Sequence, residues 1–337
     1  MENSSNNSTP VTSTQPPIVS QATIAPGAKP KTPKIDYHKE WAAVIKSGDL
    51  DLISKYAAVN TVHFGDEWPL NRAVHYNNLE AIKLLVSKGA DLTKCENILT
   101  LACQGINSTD IVKYLFDTGI KLTDGEPLRL VSLRGDIDMV NYLISKGADH
   151  TADEPVFAAI SGGHTKLVEF YLSKRKKINA NQFLIAACET GNLDIVKIFV
   201  DKGGKIDADQ NSPLRCAART GKEDVVRFLI EKGANVKAKR DYAICQAARH
   251  GYLGIVRILA EHGADIHANN DAPLDLSIEH RFYDVTKYLL DSGANLDSVS
   301  ESQKEKYQDH LRARLPKVPA PVVSAPIITT EPPATSQ

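Results

Sequence analysis

Apolar residues recur along this chain in two alternating helical patterns. Counted from a Gly or Asn taken as position zero, one stripe lies at −7, −4 and −3, and a second at +4, +5, +8 and +9. The zero positions are Gly48, Asn77, Asn107, Gly135, Gly163, Gly191, Gly221 and Gly251, with Arg281 in the ninth copy. Position −7 carries Trp41, Leu70, Thr100, Leu128, Val156, Leu184, Leu214, Ile244 and Leu274. Positions −4 and −3 are mostly small, as in Ala187-Cys188, Ala217-Ala218 and Ala247-Ala248. This spacing is one face of a short helix, and small side chains there let neighbouring helices approach closely. The second stripe is apolar at 35 of its 36 positions, Thr286 being the exception, and predicts the buried face of a second helix.

Polar residues punctuate the same frame. An acid stands at +3 in Asp51, Glu80, Asp110, Asp138, Asp194, Asp224 and Asp284, where it faces the free N–H groups of a first helical turn. Position +12 holds Asn60, Gly89, Gly119, Gly147, Gly203, Gly233, Gly263 and Gly293, residues suited to a left-handed helix stop. Five prolines, Pro69, Pro127, Pro155, Pro213 and Pro273, sit at −8, where a helix begins and a missing N–H costs nothing. Each copy therefore predicts helix, tight turn, helix, Gly stop and a short loop. Steps between zero positions are 29, 30, 28, 28, 28, 30, 30 and 30 residues, so the frame from −8 to +12 is constant and the loops absorb the variation. Repetition at this period marks a stacked-repeat architecture, which offers a long surface rather than a cleft.

These residues resemble ankyrin repeats. The family's T-P-L-H-x-A start is echoed by Pro69-Leu70 with Ala73 and by Pro213-Leu214 with Ala217. Its second-helix ending is echoed by Leu84-Leu85-Val86-Ser87-Lys88-Gly89-Ala90-Asp91. The resemblance covers residues 37–297 and implies an all-α ankyrin-repeat solenoid of about nine helix-turn-helix repeats with short hairpin-like loops. Repeats this short are similar to those of ankyrin proteins of giant DNA viruses and amoebae. Two departures stand out. The family's His at −6 is absent, with Asn71, Leu101, Arg129, Phe157, Arg215 and others in its place. The usual period is 33 residues, so the β-hairpin fingers are expected to be clipped and contact to shift towards the first helices. Arg175 replaces the Gly stop in the fifth copy. A left-handed Arg costs about 1–2 kcal/mol, which predicts a soft junction and a gain in stability for Arg175→Gly.

Composition narrows the partners. A net charge of −1 provides no global field for nucleic acid or an anionic membrane. No apolar run has membrane-spanning length and no leader pattern opens the chain, so a cytoplasmic or nuclear monomer is expected. The remaining prolines cluster in polar ends, which predicts disordered tails at 1–34 and 316–337 around an array at 35–297 and a charged helix or cap at 298–315. Pro316-x-x-Pro319 could dock an aromatic groove, and Lys174-Arg175-Lys176-Lys177 resembles an import signal, although an exposed loop with chance charge is the preferred reading.

No catalytic or cofactor motif is present: there is no G-x-G-x-x-G, G-x-x-x-x-G-K-[ST], G-x-S-x-G or H-E-x-x-H. The five cysteines form no C-x-x-C pair. Cys216 and Cys245 fall on adjacent first helices, about 8–10 Å apart at their axes, too far to converge on a zinc ion with bonds of about 2.3 Å. No catalytic, cofactor or metal site is expected. The expected role is non-catalytic protein binding along the concave face, with an adaptor for host machinery such as a ubiquitin ligase as the alternative. Positions −2 and −1 line that face in the family, and they point to His75, Tyr76, Arg134, Arg219, Arg249 and His250, with Lys237 and Arg240 on the adjoining loop. Those from Arg219 onward are expected to form one basic patch.

Overall fold

The computed structural model describes residues 37–59 and 68–314, and every regular element among them is helical. The expected tails, the Pro316-x-x-Pro319 motif and Asn60 lie outside these residues. Four pairs open the array: α1 (Tyr37–Ser47) with α2 (Leu50–Val59), α3 (Trp68–His75) with α4 (Leu79–Ser87), α5 (Ile98–Gln104) with α6 (Thr109–Asp117), and α7 (Glu126–Arg134) with α8 (Ile137–Ser145). Three follow: α9 (Glu154–Ser161) with α10 (Thr165–Ser173), α11 (Ala180–Thr190) with α12 (Leu193–Asp201), and α13 (Ala208–Arg219) with α14 (Glu223–Glu231). The last are α15 (Ala238–Arg249) with α16 (Leu253–Glu261) and α17 (Ala268–Glu279) with α18 (Tyr283–Asp291), after which α19 (Glu301–Arg314) closes the array.

First helices stack on first helices and second on second. The −7 side chains Leu70, Val156, Leu184, Leu214, Ile244 and Leu274 are all fully buried. Each stabilises the stack by about 1.5–3 kcal/mol relative to exposure. All nine zero positions take left-handed backbone, with φ between +53° and +88°. Arg281 is among them at +64°, so this Arg bears the strain that the Gly residues avoid.

The third repeat departs from the predicted frame. Thr100 is only half-buried, and Leu99 takes the −7 place beside Ala102 and Cys103. The reason is a longer connection: four residues, 105–108, separate α5 from α6, where two separate α7 from α8. Gly105 is extended there, and Ile106 is 76% exposed.

Arg175 overturns the soft-junction expectation, because it does not adopt positive φ. Its guanidinium is 4% exposed and donates from Nη1 to Asp153 Oδ1 at 2.5 Å and from Nη2 to the carbonyls of His150 and Ala152. It also lies over the Phe183 ring at 6.0 Å. The chain leaves α10 without a left-handed reversal and turns this side chain inward to clamp the preceding loop. Lys174, Lys176 and Lys177 remain exposed around it.

The clipped fingers contain turns and no strand among the described residues. In α13, α15 and α17 three consecutive residues are left-handed: 209–211, 239–241 and 269–271. These belong to the seventh, eighth and ninth repeats, each reached by a 30-residue step, and there the two residues added over the 28-residue form go into a left-handed turn. Its last residue is buried, and in two of the three repeats its side chain accepts an N–H from the loop after the second helix. Asn211 Oδ1 accepts from Asn235 and Asp241 Oδ1 from Asp265, each at 2.8 Å.

Candidate functional site

The surface that faces outward from the first helices is set by the register of their buried stripe. With −7, −4 and −3 inward, −6 and −2 point away. Asn71, Leu101, Arg129 and Phe157 at −6, and Leu133 and Ser161 at −2, line open depressions between consecutive first helices. Aligned across the array, these positions form a groove. Where the family has a His at −6, this chain varies the residue from repeat to repeat, and in the eighth repeat Cys245 there is buried.

In the C-terminal half the groove carries cations. Arg219 Nη2 donates to Glu189 Oε1 across adjacent first helices, and that carboxylate raises the Arg219 pKa. Arg215 donates to the carbonyls of Asp209 and Gln210 at 2.8 and 3.1 Å and stacks on Tyr242. Arg249 and His250 are exposed. The His250 pKa is pushed below its ordinary value, first by desolvation and then by the charges of Arg249, His280 and Arg219. These four side chains therefore share one electrostatic neighbourhood, with His250 also stacked on Tyr252 at 6.0 Å.

The other sequence-predicted residues lie elsewhere. Lys237 and Arg240 are exposed at the loop end of α15. The eight steps from Asp241 to Arg249 span about 12 Å at the helical rise, so these two cations stand at the opposite end of the helix. Arg134 is a structural tie: Nη1 donates to Cys103 O and to Gly105 O, the latter at 2.7 Å, which caps the shortened α5. Tyr76 accepts from Arg72 Nη2 at 2.9 Å, and the Arg72 guanidinium lies over the Trp68 and Tyr76 rings. His75 meets the Tyr76 ring edge-on. His280, the −1 residue of the last repeat, is the member of the basic cluster that the sequence-level patch omitted, although its position carried the signal.

Three of the buried thiols are poor nucleophiles. Burial pushes Cys103 up to about 12 and Cys245 up to about 11, and raises Cys188 further. Among the described residues no group of three His, Cys, Asp or Glu side chains is arranged to hold a metal ion, and no helix is long and apolar enough to cross a membrane.

Comparison with known proteins agrees with this architecture. A family model for ankyrin repeats (3 copies) matches residues 41–126, 70–154, 156–240 and 237–300. Among solved structures, the human ASB11 ankyrin repeat domain shares 20% identity over 55% of this chain and 97% of that chain, with a TM-score of 0.46. No curated protein matches the chain. With the family match running over more than half of the 337 residues, the chain belongs to the ankyrin repeat family.

Proposed function

We propose that this chain is a non-catalytic scaffold that holds a partner protein along the groove of its first helices, with Arg219, Arg249 and His250 as contact residues. The observation that carries this reading is that Arg219, Arg249, His250 and His280 recur at the C-terminal ends of the successive, mutually stacked helices α13, α15 and α17. Ankyrin repeats are in general protein-binding modules, and arginine is enriched where interfaces concentrate their energy. Cations recurring at these helix ends suit an acidic partner segment.

The test is affinity capture with quantitative mass spectrometry, using the full chain and an Arg219→Glu/Arg249→Glu variant. A protein recovered with the native chain and lost with the variant is the expected result. Equal recovery of every captured protein by both forms sinks the assignment of these residues.

A further inference from the structure

We propose that the groove of the second to fifth repeats is a separate subsite for a basic segment of a partner protein, one that places lysine or arginine beside an apolar side chain. The proposal rests on the reading of the first-helix face as the contact surface. Three adjoining depressions of about 420, 430 and 270 Å³ run along this stretch and are joined through Asp124, Glu126, Arg129 and Glu154. Their apolar lining is Leu101 and Phe157, both half-buried, and Leu133, which is 38% exposed. These side chains occupy the −6 and −2 positions that hold Arg215, Arg219 and Arg249 further along, so one register presents opposite chemistry in the two halves.

Around the apolar lining the charge is negative. Glu96, Asp124, Asp149 and Glu154 are exposed, and Glu126 is partly so. Among the residues lining these three depressions Arg129 is the cation, and it is tied to Glu126 by two bonds of 2.7 and 2.6 Å, leaving the other four carboxylates of the lining without a cation from it. The Thr151 hydroxyl and N–H hold the Asp149 pKa down, and Arg129 does the same for Glu126. The acids are too spread to hold a single metal ion among the described residues. Spread carboxylates over an apolar floor fit an extended peptide with several cationic side chains, and a partner of that charge is drawn in by complementarity.

The test uses defined ligands. A random peptide library is selected on the full-length chain, and recovered peptides are titrated by fluorescence anisotropy at two salt concentrations. The proteins compared are the native chain, Glu96→Gln/Glu154→Gln, Leu133→Ser and Arg219→Glu/Arg249→Glu, each checked for a native melting curve. The expected result is enrichment of peptides combining Lys or Arg with an apolar residue. Their affinity falls about fivefold or more when two exposed carboxylates are neutralised, weakens with salt, and is unchanged in the arginine variant. Absence of basic enrichment, or equal affinity for the acid-neutralised variant, overturns the subsite. So does a dimer of the native chain that Glu96→Gln/Glu154→Gln dissolves, since the surface would then serve self-association. Peptides lost only in the arginine variant overturn the subsite and leave the scaffold reading standing. Peptides indifferent to every groove substitution overturn both.

Discussion

Arg175 and Arg281 break the same sequence rule and have opposite physical consequences. Arg281 adopts the left-handed backbone its position requires, at φ +64°. Glycine there removes a strain of about 1–2 kcal/mol, so Arg281→Gly is expected to raise stability by about 1 kcal/mol in urea denaturation, and a loss of stability contradicts this account. Arg175 avoids the left-handed conformation and buries its guanidinium against Asp153 and two carbonyls. Arg175→Gly leaves those acceptors without their donor, which costs about 1–3 kcal/mol. The same measurement should show a lower midpoint, and an unchanged one would count against the clamp. Sequence alone identified both residues as exceptions. It could not separate them, because the acceptors of Arg175 lie more than twenty positions earlier and are brought near only by stacking. Arg134 shows the same limit: its position marks a groove residue, and the shortened α5 leaves carbonyls that its guanidinium reaches.

At the level of the helix pair, the zero-position glycines have two separate causes. Positive φ was predictable from the frame. A second requirement emerges from packing from the fifth repeat on, where the +1 side chain lies over the glycine of the repeat before, whereas Gly48 has no such neighbour. A Cβ on Gly251 would collide with the Phe282 ring, and one on Gly221 would come within 2.7 Å of the Tyr252 ring. Gly263, a helix stop at φ +90°, has nothing within 4 Å of such a Cβ. Gly263→Ala should therefore cost only the conformational term of about 1–2 kcal/mol, whereas Gly251→Ala adds an overpacking cost of about 1–3 kcal/mol. Denaturant titration of the two variants checks the difference, and equal losses would remove the stacking argument. The loops were the least legible elements. Polar residues at 211, 241 and 271 recur visibly, but their place at the end of a left-handed turn depends on which loop N–H comes within reach.

For the whole array, stability is a sum over neighbours, so its ends are the exposed terms. The first repeat leaves Leu50 and Leu52 about two-fifths exposed, at 40% and 42%. The last repeat is covered by α19, where His310 stacks on Tyr283 at 3.7 Å and Tyr307 packs against the same ring. Truncation after Ser300 should lower the thermal midpoint and speed hydrogen exchange in α17 and α18 while leaving α7 to α10 unchanged. Uniform acceleration along the chain would contradict nearest-neighbour stability. The groove is likewise a property of this scale, with an acidic and apolar stretch over repeats two to five and cations gathered at repeats seven to nine. The sequence by itself determined the number of helix pairs, the buried faces of all but the third, and the left-handed residue between the helices of each pair, because these follow from local periodicity and backbone sterics. Only the tertiary structure decided which charged side chains face the groove and which are spent inside the stack. Hydrogen-bond acceptors and neighbouring charges come from other repeats, and their positions are set by stacking rather than by any one repeat.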